Sequence, residues 1–283
     1  MTVPIPRSIA AELLARTTSS TALPPHAHRA RGLALGGTAA LVYVAGVVAL
    51  GVSPADLWRG IGQLGTLFVL MVPPTSGTHL VLYLVALGQT LSIALLGTLG
   101  AAVLAAPLSF LAARNVVASR VLYLLTRRSL DTLRSVDTLI WALIWIDVVG
   151  LGPFAGALAI ASSDSFALAK LMSEAIEAAD RRPIEGVRAS SGGRLAAIRF
   201  GIVPQVLPIF ASQILYFFES NIRSATIIGI VGAGGIGLHL YEQIRVLEWQ
   251  QASFLVLMVL VTVSVIDLLS RRLRTAIIGR CAG

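Results

Sequence analysis

Two stretches of the chain concentrate the residues able to act on something outside it. Residues 177–208, EAADRRPIEGVRASSGGRLAAIRFGIVPQVLP, set Glu185 and Arg188 within a polar, arginine-bearing run. A turn between two helices needs only a handful of residues, so a loop this long and polar reads as a surface made to receive a partner. Residues 221–237, NIRSATIIGIVGAGGIG, open with Asn221, Arg223, Ser224 and Thr226 and run on into Gly229, Gly232, Gly234, Gly235 and Gly237. The chemistry on offer is recognition: charged and small residues for docking in the first stretch, anion attraction and close backbone approach in the second. Bond-breaking chemistry has no residues to carry it. The sequence holds no GxxxxGK[ST] loop, no metal-ligand cluster, and no Ser/His/Asp or Cys/His set at usable spacing. His26 and His28 fall in the N-terminal tail, and His79 and His239 stand singly. The GAGGIG run does not read as a dinucleotide loop, because no strand precedes it and no acidic ribose partner follows. The chain is therefore expected to be non-enzymatic.

The elements that must position these stretches are membrane helices. Hydrophobic residues make up 56% of the chain and charged residues 13%, and the mean hydropathy is +0.83. Those values exclude an ordinary soluble domain. Apolar segments fall near 33–52, 83–111, 135–150, 154–173, 200–220 and 253–269, giving an all-α polytopic protein with about six spans. The third is marginal: it starts at Ser135, carries Asp137 and Asp147, and has a helix that can begin near Val121 as a bent or two-part element. The single cysteine, Cys281, cannot form an intrachain disulfide.

Charge orients the bundle. With the N-terminus inside, the loops 1–32, 112–134, 174–199 and 270–283 face the cytoplasm, and of 22 basic residues only Arg59, Arg223 and Arg245 are left outside. This positive-inside bias accounts for the net charge of +8 without a nucleic-acid partner and predicts both termini in the cytoplasm. Residues 1–31 lack the layout of a cleaved signal peptide and read as a cytoplasmic tail. The stretch 53–74 reads equally as an interfacial helix around Trp58 and Arg59 or as a short helix packed on the bundle, ended by Pro73 and Pro74. The expected division is a tail 1–32, a first transmembrane helix with an outer segment 33–82, a core 83–275 containing the loop 177–199, and a tail 276–283.

On this topology the opening stretch is cytoplasmic. Ile184, Val187, Leu195, Ile198 and Ile202 predict a helix, a break at Gly192–Gly193 and a second helix entering the membrane. The stretch resembles the coupling loop of ABC-importer permeases, whose pattern is a glutamate with two small residues, a glycine six positions later and a proline nineteen later. The literal triplet Glu177-Ala178-Ala179 is a decoy, since it puts Pro183 at the glycine position and Ala196 at the proline position. Counting from Glu185 reaches Ser191 beside Gly192 and then Pro204. Gly186 and Val187 replace the two alanines, and the glycine arrives one step late. The resemblance assigns ATPase coupling to Glu185, Gly186, Arg188, Ser191, Gly192 and Pro204.

Over residues 80–275 the chain resembles the phosphonate-import permease family more narrowly, in LGQTLSIALLGTLGAAVLAAPLSFLAARN (87–115), WALIWIDVVGLGPFAG (141–156), KLMSEAIEA (170–178), GIVPQVLP (201–208) and NIRSATIIGIVGAGGIG (221–237). The resemblance implies a type I importer-like fold, a homodimer of permeases embedded in lipid, two cytoplasmic ATPase subunits and an extracytoplasmic binding protein. That protein would deliver a phosphonate, phosphate or phosphite. ATP and Mg would be held by the partner ATPase, with no cofactor in this chain. A secondary transporter or channel for a small anion is the alternative. Asn221, Arg223, Ser224, Gly232, Gly234 and Gly235 are the expected translocation path and gate, with glycines of two copies meeting at an axis; dense glycine at helix crossings is the competing reading. Arg223, placed at the outer mouth of the fifth span, either attracts an oxyanion bidentately or pairs with Glu219 four residues earlier. Asp137 and Asp147 are expected to pair with Arg134 or a neighbouring subunit.

Overall fold

The computed structural model describes residues 25–51 and 53–279, all of the regular elements among them helical. The chain divides into two compact units that meet between Thr66 and Leu67. Cys281 and most of the N-terminal tail lie outside the described residues. The first unit holds α1 (Pro25–Ala49) and most of α2 (Pro54–Leu70). Ser53 accepts from the amide of Asp56 at 3.1 Å at the start of α2. Arg59 lies 3.7 Å from Asp56 on an exposed face, and Trp58 is likewise exposed.

The second unit comprises α3 (Leu80–Leu111), α4 (Arg120–Leu133), α5 (Thr138–Val149), α6 (Pro153–Glu177), α7 (Arg181–Ala189), α8 (Val203–Ile228), α9 (Ile236–Arg245) and α10 (Trp249–Gly279). A short turn Arg194–Ala196 and a π segment Ala197–Ile202 lead into α8, and a second π segment, Gly229–Ala233, leads out of it. Among the described residues four helices are long and apolar enough to cross a membrane: Leu80–Leu111, Pro153–Glu177, Arg194–Ala233 and Trp249–Thr275. Leu35–Ala49 and Thr138–Val149 are shorter apolar helices.

The helix α6 is central. Its buried positions lie on several faces, whereas on α3 they form one stripe through Ile93, Ala94, Gly97, Thr98, Ala101 and Ala105. Small residues on that stripe bring the two backbones close: a Cβ built on Gly97 would lie 2.7 Å from Cβ of Ile160, and one on Gly100 3.2 Å from Cβ of Ala161. Lipid offers no partner for polar groups, so those inside the bundle bond to one another. The Asn221 amide donates to Asp164 Oδ2 at 2.6 Å and to Thr98 Oγ1 at 2.9 Å, tying α8 to α6 and α3. Trp145 Nε1 donates to Ser162 at 2.9 Å and joins α5 to α6.

Two expectations change, the extent of the fifth span and the partner of Asp137, while the third segment is two-part as expected. The fifth span, expected at 200–220, continues to Ala233, because Asn221 lowers the hydropathy yet its amide NH2 is bonded to two side chains inside the bundle. The marginal third segment is two helices, α4 and α5, joined by a turn in which Asp137 caps α5 by accepting from the amide of Leu139 at 2.8 Å. Asp137 thus serves as a helix cap and not as the partner of Arg134, which lies 3.9 Å from Asp131. Asp131 also accepts from Lys170 Nζ at 2.8 Å, and this hydrogen bond holds its carboxyl below its ordinary value. Asp147 is exposed on α5 and makes no ion pair among the described residues.

The crossing of α3 and α6 yields a graded prediction. Gly97→Ala should destabilise the purified chain by roughly 1–3 kcal/mol through overpacking, and Gly100→Ala by less. Gly88→Ala should be nearly silent, since no side chain or neighbouring helix lies within 4 Å of its Cβ position. Thermal unfolding in detergent reads the order, and equal loss at Gly88 and Gly97 would contradict it.

Candidate coupling loop and anion path

The loop is built outward from the end of α6. Asn115 Nδ2 donates to the Ile176 carbonyl at 2.7 Å. The carboxylate of Glu177 accepts from the Arg114 amide at 2.8 Å and lies 3.2 Å from Arg127 Nη1, so it faces into the chain. Arg127 also reaches Glu174 at 3.6 Å and the Tyr123 hydroxyl at 2.9 Å. Asp180 caps α7 by accepting from the Arg182 amide at 3.1 Å. Gln205 clasps both sides of the loop: its Oε1 accepts from the Asp180 amide at 2.9 Å, and its Nε2 donates to the carbonyls of Asp180 at 3.1 Å and Gly201 at 2.6 Å. α7 rests on the π segment where Gly201 admits Ile184, whose Cα would lie 3.0 Å from a Cβ there. The expected inward positions Ile184, Ile198 and Ile202 do pack together, whereas Leu195 is exposed.

With its apolar face covered, α7 presents Glu185, Gly186 and Arg188 outward. Glu185 and Arg188 have no hydrogen bond or ion pair among the described residues, and both border a cleft of about 220 Å³ together with Ile184, Arg194 and Ile198. Pro204 lies exposed in the first turn of α8. The helix ends in a Schellman arrangement: the Gly192 amide donates to the Val187 carbonyl at 3.0 Å and the Ser191 amide to that of Arg188 at 3.1 Å. Ser191 takes the left-handed conformation, φ 63, that favours glycine. The late glycine has its own reason, since a Cβ on Gly192 would lie 2.5 Å from the Val187 oxygen.

The second stretch begins half-way along the bundle. Asn221 is buried and occupied by Asp164 and Thr98. Arg223 is exposed and has no hydrogen bond or ion pair among the described residues. It is not at the mouth of its span: ten residues separate it from Ala233, about 15 Å at 1.5 Å per residue. The pairing with Glu219 is not formed, because Glu219 bonds to Arg274 Nη2 at 3.4 Å. Ser224 is half-buried on the next position.

The glycine run wraps over the start of α6, at the end of the bundle opposite α7. Gly232, with φ 106, accepts from the amide of Gly152 at 3.1 Å. Gly234 and Gly235 are buried within the single chain. A Cβ on Gly234 would lie 3.1 Å from Pro153, and one on Gly235 2.5 Å from Thr90 Oγ1, which accepts from the amide of Ile236 at 2.8 Å. Both glycines are packed closely against their own chain. Sequence reasoning missed Asp164, Gln205, Arg127 and Arg274. An acid inside an apolar helix was the available signal for Asp164; the other three owe their positions to contacts between distant segments.

These features define a class: a helical membrane protein that carries a short polar helix at one end and, among the described residues, an unpaired arginine inside its length. The chain belongs to the binding-protein-dependent transport system inner membrane component family, whose model matches residues 105–281. It is 37% identical over 222 residues to the putative phosphite transport system permease protein HtxC of Stutzerimonas stutzeri, covering 78% of each chain. It is 33% identical to the phosphite transport system permease protein PtxC of the same species, covering 87% of this chain and 93% of that one. The phosphate-import permease protein PhnE of Mycolicibacterium smegmatis is 36% identical, with 83% of this chain and 44% of that one aligned. In fold it is similar to an inward-facing MetNI methionine ABC transporter chain, with a TM-score of 0.63 at 17% identity over 72% of this chain and 99% of that one.

The turn after α7 gives a test of opposite signs. Ser191→Gly should stabilise the loop by roughly 1 kcal/mol through relief of the left-handed strain, and Gly192→Ala should destabilise it by roughly 1–3 kcal/mol. Hydrogen exchange of the α7 amides should slow in the first variant and quicken in the second. Like signs would contradict the assigned turn.

Proposed function

We propose that this chain is the permease of an ATP-driven importer for a phosphorus oxyanion of the phosphonate, phosphite and phosphate group. Arg223 carries the proposal. A guanidinium near the middle of a span, exposed on the single chain and unpaired, is costly against lipid and belongs beside water, a ligand or another chain. Its planar fork suits bidentate binding of a phosphoryl or phosphonyl oxygen pair. The names of the relatives supply the same substrate class.

On this reading α7 docks a cytoplasmic ATPase, with Glu185 and Arg188 entering its cleft and Gly186 allowing close approach. ATP and Mg belong to that subunit. An extracytoplasmic binding protein delivers the anion, a second permease copy completes the path, and both termini lie in the cytoplasm, as the basic loops require. Gly232, Gly234 and Gly235 act on the path by shaping the turn that closes the bundle opposite α7.

Glu185→Ala should abolish most substrate-stimulated ATPase activity and uptake while leaving membrane insertion intact. Glu177→Ala should lower the yield of folded chain, because it removes the partner of Arg127 and of the Arg114 amide. Arg223→Gln should weaken uptake severalfold, more at low than at high substrate. ATPase and uptake assays in reconstituted vesicles, normalised to chain yield, read all three. Normal coupling in Glu185→Ala with uncoupling in a well-folded Glu177→Ala would reverse the assignment of the docking glutamate.

A further inference from the structure

Glu219 precedes Arg223 by four residues on α8, the spacing and order in which a helical acid and base pair most favourably. The pair is nevertheless absent. Glu219, with only 15% of its side chain exposed, instead accepts from Arg274 Nη2 at 3.4 Å, across to α10. One turn before Arg274 on α10, Arg271 donates to Asp267, from Nε at 3.0 Å and from Nη2 in a second bond. Glu219 also lies within hydrogen-bond reach of Asp267 and acts electrostatically on Arg271, as Arg274 does on Asp267, so these four groups form one connected set across the α8–α10 contact, and Arg223 is not among them.

We propose that Arg274 is a positioning residue for the anion path: by engaging Glu219 across the α8–α10 contact, it keeps the Arg223 guanidinium free. This deepens, and rests on, the reading of Arg223 as the group that faces the oxyanion. Without Arg274, Glu219 would be an acid inside the bundle with a cation four residues away. The two would close into the i,i+4 pair, and a carboxylate would occupy the two donors an oxyanion needs. Arg274 is partly enclosed, with its side chain 29% exposed; its buried Nε has no hydrogen-bond partner among the described residues, so it engages Glu219 through Nη2. Arg271, by contrast, is 71% exposed and committed to Asp267.

The test uses the full chain in membranes and an arginine-selective dicarbonyl reagent, with modification of Arg223 read by peptide mass spectrometry. Arg223 should react in the wild type, be protected severalfold in Arg274→Gln, and react again in the double variant Glu219→Gln/Arg274→Gln. Uptake of radiolabelled phosphate, phosphite and a methylphosphonate should follow the same order, with Arg274→Lys retaining most of it. The double variant also removes the unpaired acid, so a fold defect caused by Arg274→Gln alone does not hide the result. An unreactive Arg223 in the wild type overturns the proposal, as does equal reactivity in Arg274→Gln or continued protection in the double variant. Should the reactivity pattern hold while Arg223→Gln transports all three anions normally, the positioning stands and the oxyanion role of Arg223 fails.

Discussion

The Asn221 amide is the point on which the bundle depends, because it joins three helices at one depth. It donates to Asp164 of α6 and Thr98 of α3, both within helices apolar enough to cross a membrane. Helices already in lipid gain little from burying apolar surface against each other, so close packing and interhelical hydrogen bonds set their arrangement. Gly97 and Gly100 provide the packing by letting α3 approach α6. Interhelical hydrogen bonds in a membrane bundle average ~0.6 kcal/mol, so the knot contributes chiefly to register. A slipped α8 would leave the Asp164 carboxylate without its donor in a medium that cannot supply one.

Charges elsewhere divide by whether the fold has already occupied them. Arg127 holds Glu174 and Glu177, and Lys170 holds Asp131, all where α4 meets the far half of α6. These contacts fix the point from which α7 departs. Asp180 and Gln205 then set its start, and the turn at Ser191 and Gly192 sets its end. Among the charges without a partner in the described residues are Glu185 and Arg188 on α7 and Arg223 on α8, the three on which the proposed function rests. Asn221 is occupied as a joint between three helices, and Gly234 and Gly235 sit in a turn packed on Pro153 and Thr90.

Much of this organisation was legible in the sequence. The helix, break and helix of the loop followed from apolar spacing around paired glycines, and Glu185 separated from Glu177 by its distance to Pro204. The two-part third segment was visible in Asp137, because an acid just before an apolar run is a helix start. Asp164 escaped notice because Ser162, Ser163 and Ser165 surround it in a helix whose averaged hydropathy still reads as a span. The same averaging shortened α8, where Asn221 and Arg223 ended the apolar run on paper but not in the bundle.

By itself the sequence determined the membrane class, the all-helical fold and the family resemblance. Those rest on local composition and periodicity, which a linear chain displays directly. Only the tertiary structure decided which charges have partners, since the deciding contacts join residues 39, 50, 55 and 57 positions apart: Lys170 with Asp131, Arg127 with Glu177, Arg274 with Glu219 and Asn221 with Asp164. Each depends on how one helix is rotated and staggered against another. Local spacing favoured Glu219 with Arg223, and a residue one helix away took Glu219 instead.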